Sequence, residues 1–269
     1  MVSIVGVGDN VVDKYVNKGK MFPGGNAVNV PTLAHRYGAK GSYVGWLGND
    51  IYGNLILKSL KAEGVDTSHC HMFEGETTYV EIFLKNGNRT FGKVRRGLSG
   101  KITLTDTDYA FITKHDLTHS SIYSCLENSI QRLHEESNIL SFDFSSDWTN
   151  DYIKKIAPFV DIAILSLEEQ TTTSITEKSR WIYDLGPHLV LLTQGEKGSY
   201  LFDGEKVYHQ KIIPTKVIDT LGAGDAFTAK FLTDYLLEKP IKRALKNGAK
   251  AAADTCQYYG AFGHGTKIE

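Results

Sequence analysis

Short segments with β-strand character alternate with segments of helical periodicity along most of this chain. Parallel strands need a long crossover connection, usually a helix, so this alternation predicts an α/β fold in which a mostly parallel central sheet lies between two layers of helices. The strand-like segments are residues 3–7, 42–47, 140–144, 162–165 and 189–193, and the helical segments are residues 27–37, 52–62, 152–157, 177–185 and 241–256.

One region breaks this alternation and predicts a separate small sheet. Residues 78–84 and 89–94 have a period of two and are separated by an Asn-Gly pair, which is a strong signal for a β-hairpin turn. Together with an extended segment near the N-terminus, they predict a small antiparallel β lid from about residues 14–23 and 76–100. We expect residues 1–269 to form a single domain from which this lid projects.

The charge and cysteine content exclude several classes of protein. The formal net charge is −1, which gives no general affinity for nucleic acid or an anionic membrane, and no apolar stretch is long enough to span a bilayer. The three cysteines form no Cys-x-x-Cys pair, which disfavours a disulfide framework and a thiolate zinc site. The N-terminus is typical of a first strand, not of a signal peptide, so we expect a cytoplasmic protein.

Two groups of histidines are candidate metal ligands. His69 and His71 flank Cys70 outside any clear periodic segment, and the spacing of His115 and His119 predicts two imidazoles on one helical face. Because no third ligand of matching context follows either group, the sequence disfavours a metal site at both.

Residues 219–225 are the first candidate site for chemistry. They read Asp-Thr-Leu-Gly-Ala-Gly-Asp and lead into a helical run. Gly222 and Gly224 lack the side chains that would keep a phosphate from the backbone, and the free amides at a helix start attract anions. Asp225 is expected at the N-cap, where it is either a simple cap or a general base. The glycines favour the second interpretation, since a cap alone needs no Gly-Ala-Gly.

Two N-terminal segments are candidates for binding a polar ligand. Gly24 and Gly25 lead into a helix that carries Asn29, whose amide group is able to hydrogen-bond sugar hydroxyls. Asp9 and Asp13 follow the first predicted strand, at the edge where open α/β sheets bind ligands. The alternatives are an ordinary turn with its cap for the first segment and the polarity of a loop for the second.

In combination, these segments resemble the ribokinase/PfkB family of carbohydrate kinases in order and spacing. The resemblance extends over essentially the whole chain, and its most specific part is the Asp-Thr-x-Gly-Ala-Gly-Asp motif. It implies a ribokinase-like three-layer α/β/α sandwich. The matching segments are residues 8–13, 24–29, 45–50, 193–198 and 219–225.

The resemblance implies an enzyme that uses ATP and Mg²⁺ to phosphorylate a primary hydroxyl of a sugar, with K⁺ as a possible monovalent cation and a homodimer formed through the β lid. Asp225 would be the catalytic base, and the remaining roles follow by position. They are an anion hole at Gly222, Ala223 and Gly224, sugar binding by Asp9, Asp13, Gly25 and Asn29, nucleotide binding by Thr193, Gly195, Gly198, Gly222 and Gly224, indirect magnesium binding by Glu169, and the possible monovalent cation at Asp219.

One position departs from the family pattern. Where many relatives carry Asn-x-x-Glu, this chain has Ser166-Leu-Glu-Glu169, so the acid is kept but the amide is replaced by a shorter hydroxyl. The arrangement around the metal is therefore expected to differ.

Within the family, residues 142–148 and 257–262 look most like those of fructoselysine 6-kinases, which phosphorylate fructosamines. Residues 82–105 contain no acid, and we expect Arg95 or Arg96 in this run to pair with the carboxylate of a glycated amino acid. The alternative acceptors are fructose, a ribose-like sugar and a nucleoside.

Other classes of protein fit the sequence less well. The dinucleotide fingerprint of a dehydrogenase is incomplete near residues 6–11, and no Gly-x-x-x-x-Gly-Lys-Ser/Thr motif occurs. A non-catalytic sugar sensor on the same fold is the alternative from a different class. The intact Asp225 and its glycine turn disfavour a sensor, which needs no proton acceptor.

Overall fold

The computed structural model describes residues 1–85, 88–167 and 171–268, with only the backbone described at Lys85, Asn88 and Arg89. None of the helices in these ranges is long and apolar enough to span a bilayer. The strands are β1 (Ser3–Val7), β2 (Val11–Tyr15), β3 (Lys20–Gly24), β4 (Lys40–Gly48), β5 (Asp66–Phe73), β6 (Tyr79–Lys85), β7 (Asn88–Arg95), β8 (Leu117–Ser121), β9 (Leu140–Asp143), β10 (Ile162–Ser166), β11 (Leu189–Thr193), β12 (Ser199–Phe202), β13 (Val207–Gln210) and β14 (Thr266–Lys267). The α-helices are α1 (Asn26–Arg36), α2 (Ile51–Ala62), α3 (Asp106–Ile112), α4 (Ile130–Glu135), α5 (Asn150–Ile156), α6 (Thr172–Tyr183), α7 (Ala223–Leu236) and α8 (Ile241–Thr255).

A nine-stranded sheet of the described residues forms the centre of the molecule, in the order β13-β12-β11-β10-β9-β8-β1-β4-β5. The strands from β11 to β5 are parallel, whereas β12 and β13 add antiparallel pairs at one edge. Ile4 of β1 packs in a core with α1, α2, α7 and α8, and Val5, on the opposite face, packs in a second core with α3 to α6. The predicted three-layer α/β/α sandwich is thus confirmed.

The predicted strands and helices lie close to their expected positions, but β5, β8, β12, β13, α3 and α4 were not predicted. β8 reads Leu-Thr-His-Ser-Ser, and every one of its residues is buried. Its polar side chains are satisfied inside the protein; the Ser120 hydroxyl, for example, donates to the Val7 carbonyl at 2.8 Å. A buried strand of this composition lacks the apolar alternation from which strands are predicted.

His115 and His119 do not share a helical face, so that prediction is wrong. The preceding helix, α3, ends at Ile112, and His119 lies in β8. The His115 ring nitrogen Nε2 lies 2.8 Å from the Ser42 hydroxyl, whereas His119 contacts Asn26 and Ser141. The two side chains therefore have different surroundings.

A second, smaller sheet has the strand order β14-β3-β2-β6-β7. Its neighbours pair antiparallel except β2 and β6, which are parallel. The predicted Asn86-Gly87 turn lies outside the described residues. One face of this small sheet has its own core, formed by Tyr15, Phe22, Ile82 and Leu84, against which Leu221 of the 219–225 segment packs. The small sheet is therefore in contact with the candidate site.

Candidate active site

Asp219 anchors the 219–225 turn. Its buried carboxylate accepts hydrogen bonds from the Tyr15 hydroxyl, from the Leu221 amide at 3.1 Å and from the Gly260 amide at 3.2 Å. Tyr15 belongs to the small sheet and Gly260 to the segment after α8. A single carboxylate thus joins three separate parts of the chain at the turn.

Gly222, not Asp225, is the N-cap of α7, so the predicted position of Asp225 is wrong by three residues. The reason is the left-handed conformation of Gly222, with φ 74°, which starts the helix earlier. A Cβ at Gly222 would also lie 2.5 Å from the Ala261 Cα, whereas a Cβ at Gly224 would meet no atom within 4 Å. Gly222 is therefore required by the fold, and Gly224 faces open space beside Asp225.

The Asp225 carboxylate is held by two asparagines of α1. Asn26 Nδ2 donates to Asp225 Oδ1 at 2.8 Å, and Asn29 Nδ2 donates to Asp225 Oδ2 at 2.6 Å. The carboxylate consequently has a fixed orientation at the start of α7.

A buried polar network, which sequence reasoning missed, orients Asn26. Its Nδ2 also donates to Asp143 Oδ2 at 2.9 Å, and its Oδ1 lies 2.7 Å from His119 Nε2. Burial lowers the pKa of His119 to about 3, so the ring is neutral. We assign the ring proton to Nε2, since Nδ1 then accepts from the Ser141 hydroxyl at 2.7 Å. His119 thereby turns the Asn26 amino group toward Asp143 and Asp225.

Asp143 is the second acid of this network. Burial, together with the nearby charge of Asp225, raises its pKa to about 7, and the hydrogen bond from the Ser145 amide opposes this rise. Asp143 ends β9. Its place at the carboxyl end of a strand, where open α/β sheets bind ligands, is the sequence signal that identifies it.

Asp9 supports the start of α1. Its carboxylate accepts from the amides of Asn26 and Ala27, at 2.7 and 3.2 Å, and from the hydroxyls of Ser121 and Ser124, at 2.8 and 3.0 Å. Burial raises the pKa of Asp9, and these hydrogen bonds oppose that effect. Asp9 therefore holds the helix that carries Asn26 and Asn29.

The glycine pair before α1 lets the backbone pass close to the acids. A Cβ on Gly24 would lie 2.4 Å from Asp13 Oδ2, and Gly25 has φ 109° with its Cβ position 2.7 Å from the Asn10 Cα. Asp13 is buried in β2. The buried Oδ1 of Asn29 has no hydrogen-bond partner among the described residues. A ligand hydroxyl would satisfy that acceptor.

The predicted nucleotide-binding residues at positions 193–198 lie at the carboxyl-terminal ends of the strands of the large sheet, as Asp143 does. Thr193 ends β11 next to Ser166 at the end of β10, with their hydroxyl oxygens 3.1 Å apart, and Asp143 ends the adjoining strand β9. Gly195 and Gly198 form the turn after β11, with φ 52° and 94°. Thr193 therefore lies two strands from Asp143, at the same end of the sheet.

The two candidate arginines of the small sheet have different neighbours. Arg95 is exposed and forms an ion pair with Glu76, with 2.7 Å between Nε and Oε2. Arg96 Nη1 lies 3.9 Å from Cys125 Sγ. Cys125 directly follows Ser124, which binds Asp9, so the Arg96 guanidinium lies closer to the α1 end of the candidate site.

Comparison with known proteins places the chain among carbohydrate kinases. The pfkB family carbohydrate kinase profile matches residues 2–264. "Fructosamine kinase FrlD" of Bacillus subtilis is 38% identical over 98% of this chain and 94% of that protein. "Fructoselysine 6-kinase" of Escherichia coli is 35% identical over 97% of this chain and 100% of that protein. The fold also matches the solved Arabidopsis thaliana ribokinase complexed with ribose and ATP, with a TM-score of 0.83 at 22% identity, over 97% of this chain and 95% of that one.

The mostly parallel α/β body with its small second sheet has the ribokinase fold. The chain belongs to the pfkB family of carbohydrate kinases, and the resemblance seen in the sequence motifs is confirmed. It is an ATP-dependent sugar kinase.

Proposed function

We propose that this kinase transfers the γ-phosphoryl group of ATP to a primary hydroxyl of a fructosamine, O6 of a sugar such as fructoselysine. The observation that carries the proposal is the Asp225 carboxylate, held by Asn26 and Asn29 beside the open side of Gly224. The two relatives at 35 and 38% identity, which are named as fructoselysine and fructosamine kinases, support the choice of sugar.

In the proposed reaction, Asp225 accepts the proton of the attacking hydroxyl. The hydroxyl oxygen forms the new bond to phosphorus as the bond from phosphorus to the β,γ-bridging oxygen breaks, and ADP leaves with that electron pair. The amides of Gly222, Ala223 and Gly224 donate to the phosphoryl group as charge builds on its oxygens. The Ala223 amide also closes the turn onto the Thr220 carbonyl, at 3.2 Å, so the new interaction would share that donor.

The chain has oxygen donors that fit Mg²⁺ bound together with ATP. Mg²⁺ usually keeps several waters and takes one or two carboxylates besides the phosphates, and Asp143, which accepts a hydrogen bond from the same Asn26 amino group as Asp225, would supply one carboxylate. When bound, Mg²⁺ would neutralise charge on the phosphates. Glu169, the predicted indirect ligand, lies outside the described residues, as does Glu168. Ser166 is in place next to Thr193.

Asp219 is less suited to binding a cation through its side chain. Its carboxylate is completely buried and already accepts from Tyr15, Leu221 and Gly260. We propose that Asp219 holds the turn in place. A K⁺ requirement stays a prediction that activity measurements with and without K⁺ would test.

The acceptor is best identified by a phosphorylation screen with ATP and Mg²⁺. The panel is fructoselysine, other glycated amino acids, fructose, ribose and adenosine, and NMR of the product locates the new phosphate. We expect the highest kcat/KM for a fructosamine, with phosphate on O6. A higher kcat/KM for fructose, ribose or adenosine would contradict the proposed substrate while leaving the kinase assignment intact.

Arg96 is our candidate for binding the carboxylate of the amino-acid part. Replacement by alanine should raise the KM for fructoselysine about 10- to 100-fold, the usual effect of losing one charge-assisted hydrogen bond. Arg95→Ala is the matched control and should change this KM little, because Glu76 already binds Arg95.

A fructosamine made from an uncharged alkylamine separates carboxylate binding from a general defect. It carries the same sugar but no carboxylate, so Arg96→Ala should leave its KM unchanged. Equal losses with both substrates would show that Arg96 does not recognise the carboxylate.

We further propose that two copies pair through the small sheet. Its strands β6 and β7 expose Phe83, Phe91 and Val94, with 40, 65 and 57% of their surface accessible. Light scattering should give about twice the 29.9 kDa mass of one chain, and Phe91→Asp should reduce the mass to that of one chain. Val217→Asp, which alters another exposed apolar residue, is the control. A wild-type protein that is monomeric at micromolar concentration would contradict pairing.

A further inference from the structure

The edge strand β5 presents two imidazoles on one face. Side chains of a strand alternate between its faces, so His69 and His71 point the same way, while Cys70 and Met72 pack toward the core formed with α1 and α2. Both imidazoles are partly exposed, with 21 and 32% of the side-chain surface accessible.

Asp108 of α3 is a third candidate metal ligand, which the sequence did not reveal. Its Oδ1 lies 2.8 Å from His69 Nδ1 and 2.9 Å from His71 Nε2. Among the described residues, these three form the one group of His, Cys, Asp or Glu whose ligand atoms lie within 4.8 Å of one another. The third ligand is 37 residues from His71 and approaches through the packing of α3 on the sheet.

Hydrogen bonds to the second oxygen of the Asp108 carboxylate hold it in this orientation. Its other oxygen, Oδ2, accepts from the Thr105 amide at 2.9 Å and from the Thr105 hydroxyl at 2.7 Å. Asp108 is completely buried. Hydrogen bonds to a carboxylate that hold it toward a cation are typical of the outer shell of metal sites.

The imidazoles are also held by packing. The His69 ring stacks on Phe111, with 4.2 Å between centroids, and the His71 ring lies near Phe73, with 6.2 Å between centroids. Because the rings are already placed, a cation would need only a small adjustment. Tetrahedral bonds of about 2.0–2.1 Å separate the ligand atoms by about 3.3 Å, so the present nitrogen to oxygen distances would open by roughly 0.5 Å.

We propose that His69, His71 and Asp108 bind one divalent cation of the zinc class per chain and thereby tie β5 to α3. Two imidazoles and one carboxylate suit zinc or a neighbouring transition metal, whereas Mg²⁺ and Ca²⁺ prefer oxygen ligands alone. The exposed side of the imidazoles leaves a path for the ion and a position for water. This site is separate from the network around Asp225.

The test uses the full chain after treatment with a chelator, titrated with Zn²⁺ or Mg²⁺ as the sole added metal. Calorimetry should show one Zn²⁺ bound per chain, and the unfolding temperature should rise with Zn²⁺ but not with Mg²⁺. His69→Asn and His71→Asn should each weaken Zn²⁺ binding by at least about tenfold. Asparagine keeps an amide that hydrogen-bonds Asp108, so both variants are expected to fold.

His209→Asn is the matched control. His209 is exposed on β13, at the opposite edge of the same sheet, and stacks on Tyr200 with 4.3 Å between centroids, much as His69 stacks on Phe111. This variant and Asp225→Asn should bind Zn²⁺ like the wild type. Absence of saturable binding would overturn the proposal and leave a hydrogen-bonded cluster. Equal weakening in His209→Asn would show adventitious binding to imidazoles and would overturn it as well.

Discussion

Asparagine at position 225 should lower kcat by about 10²- to 10⁴-fold with little change in the KM for ATP, because it keeps the size of the side chain but removes the proton acceptor. Asn26 and Asn29 both donate to Asp225, and the amide of an asparagine has only one oxygen to accept from them. The variant therefore also loses one hydrogen bond. Steady-state kinetics with a fructosamine at varied ATP concentration measure both kcat and the KM for ATP.

Asn29→Ala separates the loss of the proton acceptor from the loss of one hydrogen bond. It removes a hydrogen bond to Asp225 but keeps the carboxylate. We expect this variant to raise the KM for the sugar while it keeps much more of kcat than Asp225→Asn. If Asp225→Asn turns over at near wild-type rate, another group accepts the proton, and the proposed mechanism is wrong.

The second large effect is expected at Gly224. Alanine at this helical position should leave the fold as stable as before or stabilise it by about 0.5–1 kcal/mol, since Gly is a poor helix residue. A Cβ there meets no protein atom within 4 Å and instead occupies the space beside Asp225 where the phosphoryl group is proposed to pass. We expect kcat/KM to fall about 10²-fold, the cost of displacing reacting groups by about 1 Å.

Gly222→Ala is the matched control, and its main expected effect is on the stability of the fold. Gly222 has φ 74°, and its Cβ position lies 2.3 Å from the Ala261 Cβ, so the substitution strains the backbone and the packing. We expect a loss of about 2–4 kcal/mol in the free energy of unfolding, from a left-handed alanine and a steric overlap. Thermal unfolding measures the stability of both variants, and steady-state kinetics measure their kcat/KM. An active Gly224→Ala enzyme would place the phosphoryl group elsewhere.

The predictable parts of the site are those encoded by short motifs of consecutive residues. The motif at residues 219–225 and the glycine pair before α1 each specify a local backbone conformation, and the structure has both at helix starts. The network around Asn26 was not predictable in this way. Asn26 bonds Asp143 and Asp225, which are 117 and 199 residues away, and only the folded chain brings them together.

The fold likewise has elements that were predictable from local sequence and elements that were not. Strands β1, β10 and β11 are apolar and were predicted from their composition. Strand β8 is equally buried, but its serines and His119 are satisfied by hydrogen bonds inside the protein, to β1, β9, Asp9 and Asn26, so its pattern resembles that of a loop. The start of α7 was misplaced for a related reason. A glycine in the left-handed conformation served as the N-cap where an acid was expected.

The 199-residue separation of Asn26 and Asp225 has a consequence for biosynthesis. A nascent polypeptide emerging from the ribosome carries Asp9, Asp13 and Asn29 long before Asp225, the proposed proton acceptor, has been translated. Truncated translation products that stop before α7 lack Asp225 altogether. Phosphate transfer by this route therefore begins only once α7 has been made and has docked on α1.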